Sequence, residues 1–483
     1  MAGQKHGICT IGYWKGIIIN MEIPRIMIAA GSSGSGKTTI TCGLLQAFKN
    51  RGLKTVSFKC GPDYIDPMFH KTILGTPSKN LDTFFTDPGT VKSLMAEAAA
   101  RADISVIEGV MGYYDGAGIT TYTASSYELA SVTGTPVILV VNTKGMGLSV
   151  IPYIKGFIEY KANSFIKAVI LNNTSFMVYR RLKPLIENKL KITVAGYLPK
   201  MPELQIESRH LGLVTPVEVS GIKEKIKKLA FKIEECINID KILYIAKAAS
   251  YIKAKHLETM PVCNVGKAHK LRIGVAKDEA FCFYYEDNLK LLERLGAELV
   301  YFSPLHDSKL PGGIHGCIIG GGYPELYLEK LSSNTTMLNS VKSAFTDKNM
   351  PYIAECGGFL YLHENMGDME GRHSYKLAGV IPASAEYKGK LQHFGYITLS
   401  PAKHGCIKNY YGTGNEMKAH EFHYYNSTNN GNSYIAKKPF QNMEWQCIHM
   451  ERQGFAGFPH LYFYSNPDFA KDFVKKCLYY SLL

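Results

Sequence analysis

The chain has 483 residues, too many for one ordinary domain and comfortable for two or three. With 46% apolar and 20% charged residues, its composition is that of a globular protein and excludes a wholly disordered chain, a collagen-like one or a small disulfide scaffold. The net charge of +14 comes from scattered Lys and Arg with one local cluster at 223–228, and no apolar stretch approaches the roughly 18–20 residues of a membrane span, so neither a nucleic-acid nor a membrane partner is expected.

Residues 1–23 lack the apolar core and small-residue cleavage site of a signal peptide. They are expected to be a leader without function, with Met21 as the natural start. The eleven cysteines are widely spaced and form no C-x-x-C pair. They read as reduced thiols of a cytoplasmic protein, not as a disulfide framework or a zinc site.

From 25 to about 200, short apolar runs alternate with helical segments. Strands are expected at 25–31, 55–61, 104–109, 136–142, 167–173 and 193–199, and helices at 37–51, 90–102 and 179–190. Continuous rather than alternating apolar strands imply a parallel sheet covered on both faces. The first unit is thus an α/β domain with a doubly wound sheet.

The first strand runs into Gly31-Ser32-Ser33-Gly34-Ser35-Gly36-Lys37-Thr38-Thr39. This matches the phosphate-binding pattern G-x-x-x-x-G-K-[ST] in its strand–loop–helix setting. Glycines let backbone N–H groups converge on one anion. Lys37 would neutralise the outer phosphates and the Thr38 hydroxyl would ligate Mg²⁺. Gly34, Ser35, Gly36, Lys37, Thr38 and Thr39 are the expected phosphate-binding residues. The second strand ends in Lys59-Cys60-Gly61-Pro62-Asp63-Tyr64-Ile65-Asp66-Pro67, two acids in a turn at the sheet edge where open α/β folds bind ligands. The third ends in Glu108, followed by a glycine-rich stretch to Asp115. A strand-tip acid there is placed to serve a metal. Asp63, Asp66, Glu108 and Asp115 are expected to converge near the loop, with Thr38 and Glu108 as Mg²⁺ ligands.

Residues 221–270 turn to Lys, Ile, Glu and Ala, which suggests a helical connector or lid. A second α/β pattern starts near 271, with strands at 271–278, 297–303, 315–322 and 351–358 and a helix at 287–295. Within it, Cys356 stands where a strand ends and Gly357-Gly358 open a helix. Such an elbow exposes the thiol, and a helix N-terminus favours thiolate. Gly320-Gly321-Gly322 supplies a second glycine turn able to approach it. The expected base is His460, with His420 and His423 as alternatives.

Together the phosphate loop, KCGPDYIDP (59–67), VIEGVMGYYDG (106–116), GYLPKMPELQIESRHLGLV (196–214), GGGYPEL (320–326), AECGGFLYL (354–362) and HEFHYY (420–425) resemble the cobyrinic acid a,c-diamide synthase family, in one order from about 24 to 483. The resemblance implies a dethiobiotin-synthetase-like ATP domain (24–220), a helical connector (221–270) and a class I glutamine amidotransferase domain (271–483). It implies amidation of the a and c acetate side chains of cobyrinic acid, with ATP and L-glutamine consumed and an acyl phosphate between. It assigns Cys356 to nucleophilic attack on glutamine and His460 to acid–base work. Substrate activation falls to Asp63, Tyr64, Ile65, Asp66, Glu108 and Asp115, and Glu421 and His423 would line the corrin or domain interface.

Three positions depart from the pattern. Tyr462 stands two residues after His460, where many class I amidotransferases carry an orienting Glu. Asn142 replaces an expected Asp, and Ser32 a signature Lys of related dimeric ATPases. Three other readings remain open. One is the related amidation of nickel-sirohydrochlorin in F430 synthesis, and another is cobyric acid synthase chemistry. The third is a P-loop regulatory or scaffold protein with a degenerate amidotransferase domain, against which Lys37, Cys356 and His460 speak.

Overall fold

The computed structural model describes residues 18–204, 216–255, 270–402 and 415–483. Most of the expected leader and the Arg209–Leu213 run lie outside them. Seven strands build the first sheet: β1 (Arg25–Ala30), β2 (Thr55–Cys60), β3 (Ser78–Leu81), β4 (Ile104–Glu108), β5 (Val137–Asn142), β6 (Ile166–Asn172) and β7 (Thr193–Leu198). They are parallel throughout, in the order β3-β2-β4-β1-β5-β6-β7. Along β1, Ile26 and Ile28 point into one apolar layer and Met27 and Ala29 into the other. Both faces are therefore dry, which is why the strands read as unbroken apolar runs.

The sequence pattern predicts six of these strands and misses β3, whose Ser78, Lys79 and Asn80 are all buried. β3 is an edge strand whose Lys79 is covered by Asp287 of the second domain, while Asn80 donates to the Gly61 and Asp63 carbonyls of its own domain. Helix α1 (Lys37–Asn50) follows β1, and α2 (Ile65–Thr72) follows β2. The phosphate loop and the acidic turn thus share the carboxyl edge of the sheet.

The segment expected as a connector is instead a covering layer. In α3 (Pro216–Cys236) and α4 (Ile239–Lys247), Leu229, Ile233 and Ile242 are fully buried against Ile26, Ile28 and Val140. Burying each such side chain contributes about 2 kcal/mol, enough to hold the helices on the sheet rather than free as a lid. Ile252–Lys255 then pairs antiparallel with Ile18–Met21. The end of the expected leader is accordingly a strand.

The second domain begins with β8 (Leu271–Ala276), β9 (Ala297–Phe302), β10 (Gly316–Ile319) and β11 (Tyr352–Glu355). The chain then passes through the short α5 (Gly357–Tyr361) into two long antiparallel strands, β12 (Ile381–Pro401) and β13 (Met417–Ser427). It returns through β14 (Gly454–Gly457) to complete a parallel sheet ordered β9-β8-β10-β11-β14. β15 (His460–Leu461) leaves that sheet and pairs with β13. No helix among the described residues is long and apolar enough to cross a membrane.

Aromatic and ionic contacts join the two domains. Lys79 and Asp287 form a buried ion pair, Arg294 pairs with Glu97, and Lys71 meets Glu286 at 2.9 Å. The Tyr396 hydroxyl donates to Asp82 at 2.6 Å, and Phe85 stacks on Tyr462 with centroids 5.3 Å apart.

Candidate functional site

At the phosphate loop, Gly34 and Gly36 take φ values of 75° and 96°, the left-handed region that glycine enters without steric cost. A side chain at Gly36 would also strike Asn172, whose Nδ2 donates to the Ser35 carbonyl at 2.9 Å. At Gly34 that space is open. The loop is thereby held as a cradle, with Thr39 half-buried on the first turn of α1. Lys37 donates to the carbonyls of Ser32 (3.2 Å) and Met111 (2.5 Å). Burial, with Lys59 adding to it, lowers its pKa to about 8.

Beneath the loop lies a buried charge network. Lys59 Nζ sits 2.5 Å from Asp66 Oδ2 and 3.1 Å from Glu108 Oε1, and the Thr38 hydroxyl donates to the same Glu108 oxygen at 2.6 Å. His70 Nε2 lies 3.4 Å from Glu108 Oε2. Burial disfavours the Glu108 charge, but Lys59 and the surrounding donors outweigh it and hold this carboxyl below its usual range. Asp66 moves the other way, raised by burial and then by Glu108. Two carboxylates thus share one lysine, and the second keeps its proton more readily.

Glu108 Oε2 is buried without a hydrogen-bond partner among the described residues. Together with the Thr38 hydroxyl it offers the oxygen donors that a hard divalent cation takes, so these residues fit the expected Mg²⁺.

The other expected residues divide. Asp63 Oδ1 accepts from the Ile65 and Asp66 N–H groups at 2.7 and 3.3 Å and starts α2, while its charge acts on Lys59 and Asp66. Half-buried Ile65 contributes that backbone donor. Asp115 turns back to accept from Gly112 N at 2.9 Å, close enough for its charge to act on Lys37. Asp66 and Glu108 therefore meet directly at Lys59, whereas Asp63 acts on Lys59 and Asp66 through its charge, because a carboxylate following a Gly-Pro turn satisfies the orphan N–H groups of the next helix first. Lys59 and His70 complete the network. Neither was assigned a role from sequence, although a lysine inside an apolar strand is itself a sign that a buried carboxylate must be near. Asn142 Oδ1 accepts from Lys144 N and Asn173 Nδ2 at 3.2 and 3.1 Å, a local turn contact.

Tyr64 takes the opposite direction from Asp66. Its ring lies parallel to Phe283, with centroids 5.1 Å apart, and edge-on to His460 at 5.3 Å. The same turn thus carries Asp66 to the phosphate loop and Tyr64 to the second centre. The Tyr64 hydroxyl is buried without a partner among the described residues.

Cys356 joins β11 to α5 with φ 47° and ψ −103°, a strained backbone for a residue with a Cβ. The two glycine turns meet beside it: a Cβ on Gly357 would lie 3.2 Å from Gly322 N, and one on Gly321 would strike the His460 ring. The thiol is 3.8 Å from the Phe422 carbonyl. Contrary to the expected thiolate, its pKa is raised, by burial first and then by Glu325 and Glu421. A helix of five residues supplies too small a dipole to offset two carboxylates in a dry site.

His460 also corrects an expectation. Tyr462 is occupied elsewhere, donating to Asp287 at 3.0 Å, but a different carboxylate stands near the imidazole. Glu355 Oε2 is 3.7 Å from His460 Nδ1, and its Oε1 accepts from Leu461 N at 3.3 Å. Glu355 immediately precedes Cys356, so β11 delivers both. His420 pairs across β13 and β15 with His460, and burial lowers its pKa to about 3, which leaves it a poor base. Glu421 and His423 are buried in a cavity whose lining belongs entirely to the second domain.

Comparisons with known proteins agree with this two-centre layout. Residues 26–299 match the CobQ/CobB/MinD/ParA nucleotide binding domain family, and 272–467 match the CobB/CobQ-like glutamine amidotransferase domain family. The chain is 39% identical to the cobyrinate a,c-diamide synthase of Caldanaerobacter subterraneus over 93% of its own length and 98% of the relative's. It is 38% identical to that of Clostridium acetobutylicum (93% and 99%) and 37% identical to that of Listeria innocua (92% and 97%).

Proposed function

The chain belongs to the cobyrinate a,c-diamide synthase family, and from that premise we propose that it converts the a and c acetate carboxylates of cobyrinic acid to carboxamides in cobalamin synthesis, consuming ATP and glutamine. The observation that carries this reading is the turn Gly61–Pro67. Its Asp66 belongs to the charge network under the phosphate loop, while its Tyr64 packs against His460.

In the second domain, Cys356 Sγ attacks the glutamine carboxamide carbon as His460 takes the thiol proton. The γ-glutamyl thioester forms when the C–N bond breaks and His460 returns the proton to ammonia. Water then attacks the thioester, releasing glutamate and restoring the thiol. Glu355 keeps the imidazole oriented. The raised thiol pKa fits a glutaminase that stays quiet until substrate enters.

In the first domain, a carboxylate of the macrocycle attacks the γ-phosphorus of ATP and ADP leaves. Ammonia attacks the acyl phosphate carbon, and inorganic phosphate departs. Lys37 and the loop N–H groups of Gly34, Ser35 and Gly36 neutralise charge on the moving phosphoryl group. Thr38 and Glu108 would hold Mg²⁺, which would supply charge neutralisation for the phosphates. Lys59 and Asp66 fix Glu108, and Asp63 and Ile65 shape the turn that presents them. Asp115 supports Gly112 beside Lys37. We place the protein in the cytoplasm, where glutamine and ATP are at hand.

Mass spectrometry of the macrocycle after incubation with ATP, Mg²⁺ and glutamine tests the proposal. Two amidations of cobyrinic acid and none of nickel-sirohydrochlorin are expected. The reverse pattern would move the same chemistry to F430 synthesis, and no product from either would refute the substrate class.

A further inference from the structure

A third cluster lies beyond the two centres, between β12 and β13. His393 Nδ1, Glu421 and His423 Nε2 present three ligand atoms that all lie within 4.8 Å of one another. Glu421 and His423 are two residues apart on β13, so strand periodicity puts both on one face. His393 reaches them because β12 is bulged between Gln392 and Gly395, with His393 at φ 44°. Lys438 fixes that bulge by donating to the carbonyls of His393 and Phe394 at 2.7 and 2.5 Å. Both rings are clamped, His393 by Trp445 at 4.1 Å and His423 by Phe458 at 3.7 Å.

The hydrogen bonds make this more than a polar pair. His423 Nδ1 lies 2.6 Å from the Tyr425 carbonyl, an acceptor only, so Nδ1 carries a proton. In the neutral imidazole Nε2 then presents a lone pair. That lone pair faces Glu421 Oε2 at 3.3 Å, and the same oxygen stands 3.6 Å from His393 Nδ1. The other Glu421 oxygen is buried without a partner among the described residues. Either a proton on Nε2 or a cation must lie between two such groups in a dry site. A ring whose second nitrogen donates to a carbonyl is the usual arrangement of a metal-binding histidine. With metal–ligand bonds of about 2.0–2.2 Å, neighbouring ligands of a tetrahedral ion stand about 3.3–3.6 Å apart, which the two separations from Glu421 Oε2 match.

We propose that His393, Glu421 and His423 bind one transition-metal ion of the Zn²⁺ class, with a coordination position left open toward the cavity that Cys447 also lines. The set is distinct from the oxygen ligands at the phosphate loop and does not depend on the proposed amidation. It leaves no cysteine-spacing trace in the sequence.

The test uses full-length protein without a histidine tag, stripped with a chelator and titrated with Co²⁺ in excess Mg²⁺, which occupies the phosphate-loop oxygens. About one equivalent per chain is expected, with visible ligand-field absorption, and binding should weaken at least tenfold in Glu421→Gln and in His393→Gln. Zn²⁺ should raise the melting temperature of the wild type but of neither variant. His393 is partly exposed, so its variant remains informative if Glu421→Gln fails to fold. Absence of binding, or equal binding in the variants, would overturn the proposal and leave Glu421 and His423 as a proton-sharing pair.

Discussion

The two centres hold their reactive groups in opposite ways. At the phosphate loop the charges are paired, since Lys59 serves Asp66 and Glu108 and Thr38 closes on Glu108, with one Glu108 oxygen left open for a cation. Around Cys356 the matching is incomplete. The thiol is held up by burial and carboxylates, and His460 Nδ1, 3.7 Å from Glu355, is buried without a hydrogen-bond partner among the described residues. Satisfied groups favour one rigid arrangement. Unsatisfied ones cost stability and are retained where a ligand completes them. The first centre therefore holds its ion pairs in advance and keeps one carboxylate oxygen for a cation, whereas the second leaves its thiol and base to be completed by a ligand.

Separating nitrogen supply from carboxylate activation breaks this comparison most sharply. Cys356→Ala should reduce glutamine-supported amidation at least a thousandfold and leave ammonia-supported amidation near the wild-type rate. Loss of both in a product assay would contradict the division of labour. Glu108→Gln should act on the other side, lowering synthesis from either nitrogen source by about a hundredfold or more. It also leaves Lys59 with one carboxylate instead of two, so a lower melting temperature is expected. Wild-type rates with both sources would remove Glu108 from the activation site.

Smaller effects sharpen the contrast. Glu355→Gln should lower glutaminase kcat about tenfold with little change in KM for glutamine, since the residue orients the imidazole without touching substrate. Ammonia-supported synthesis should stay constant, and an equal loss there would make Glu355 merely structural. Lys37 gives the mildest test. Its pKa near 8 means that its charge, and the attraction for phosphate that depends on it, is present below that pH and lost above it. Nucleotide affinity, followed by a fluorescent ATP analogue between pH 7 and 9.5, should weaken above pH 8 by up to about tenfold per unit. A flat profile would show that phosphate contact alone keeps Lys37 charged.

Much of the first centre was legible because its parts are contiguous. The glycines, Lys37 and Thr38 lie within one loop, and strand tips bring Glu108 and the Gly61–Pro67 turn to the same sheet edge. β3 was not legible, since Lys79 is matched by Asp287 of the other domain and Asn80 by the Gly61–Asp63 turn, contacts that local pattern cannot report. Nor was Glu355, whose neighbour in sequence is the nucleophile but whose partner in space, His460, lies 105 residues further on. The same holds for His393, brought to Glu421 by a bulge.

The sequence by itself determined the two parallel sheets, the phosphate loop and the thiol elbow, because apolar runs and glycine turns act over a few residues. Tertiary structure decided which carboxylate keeps its proton, that the Cys356 thiol is raised rather than lowered, and that α3 and α4 cover a sheet instead of linking domains. Those outcomes depend on burial and on charges brought together from distant segments, and electrostatics in a dry interior follows distance in space, not separation along the chain.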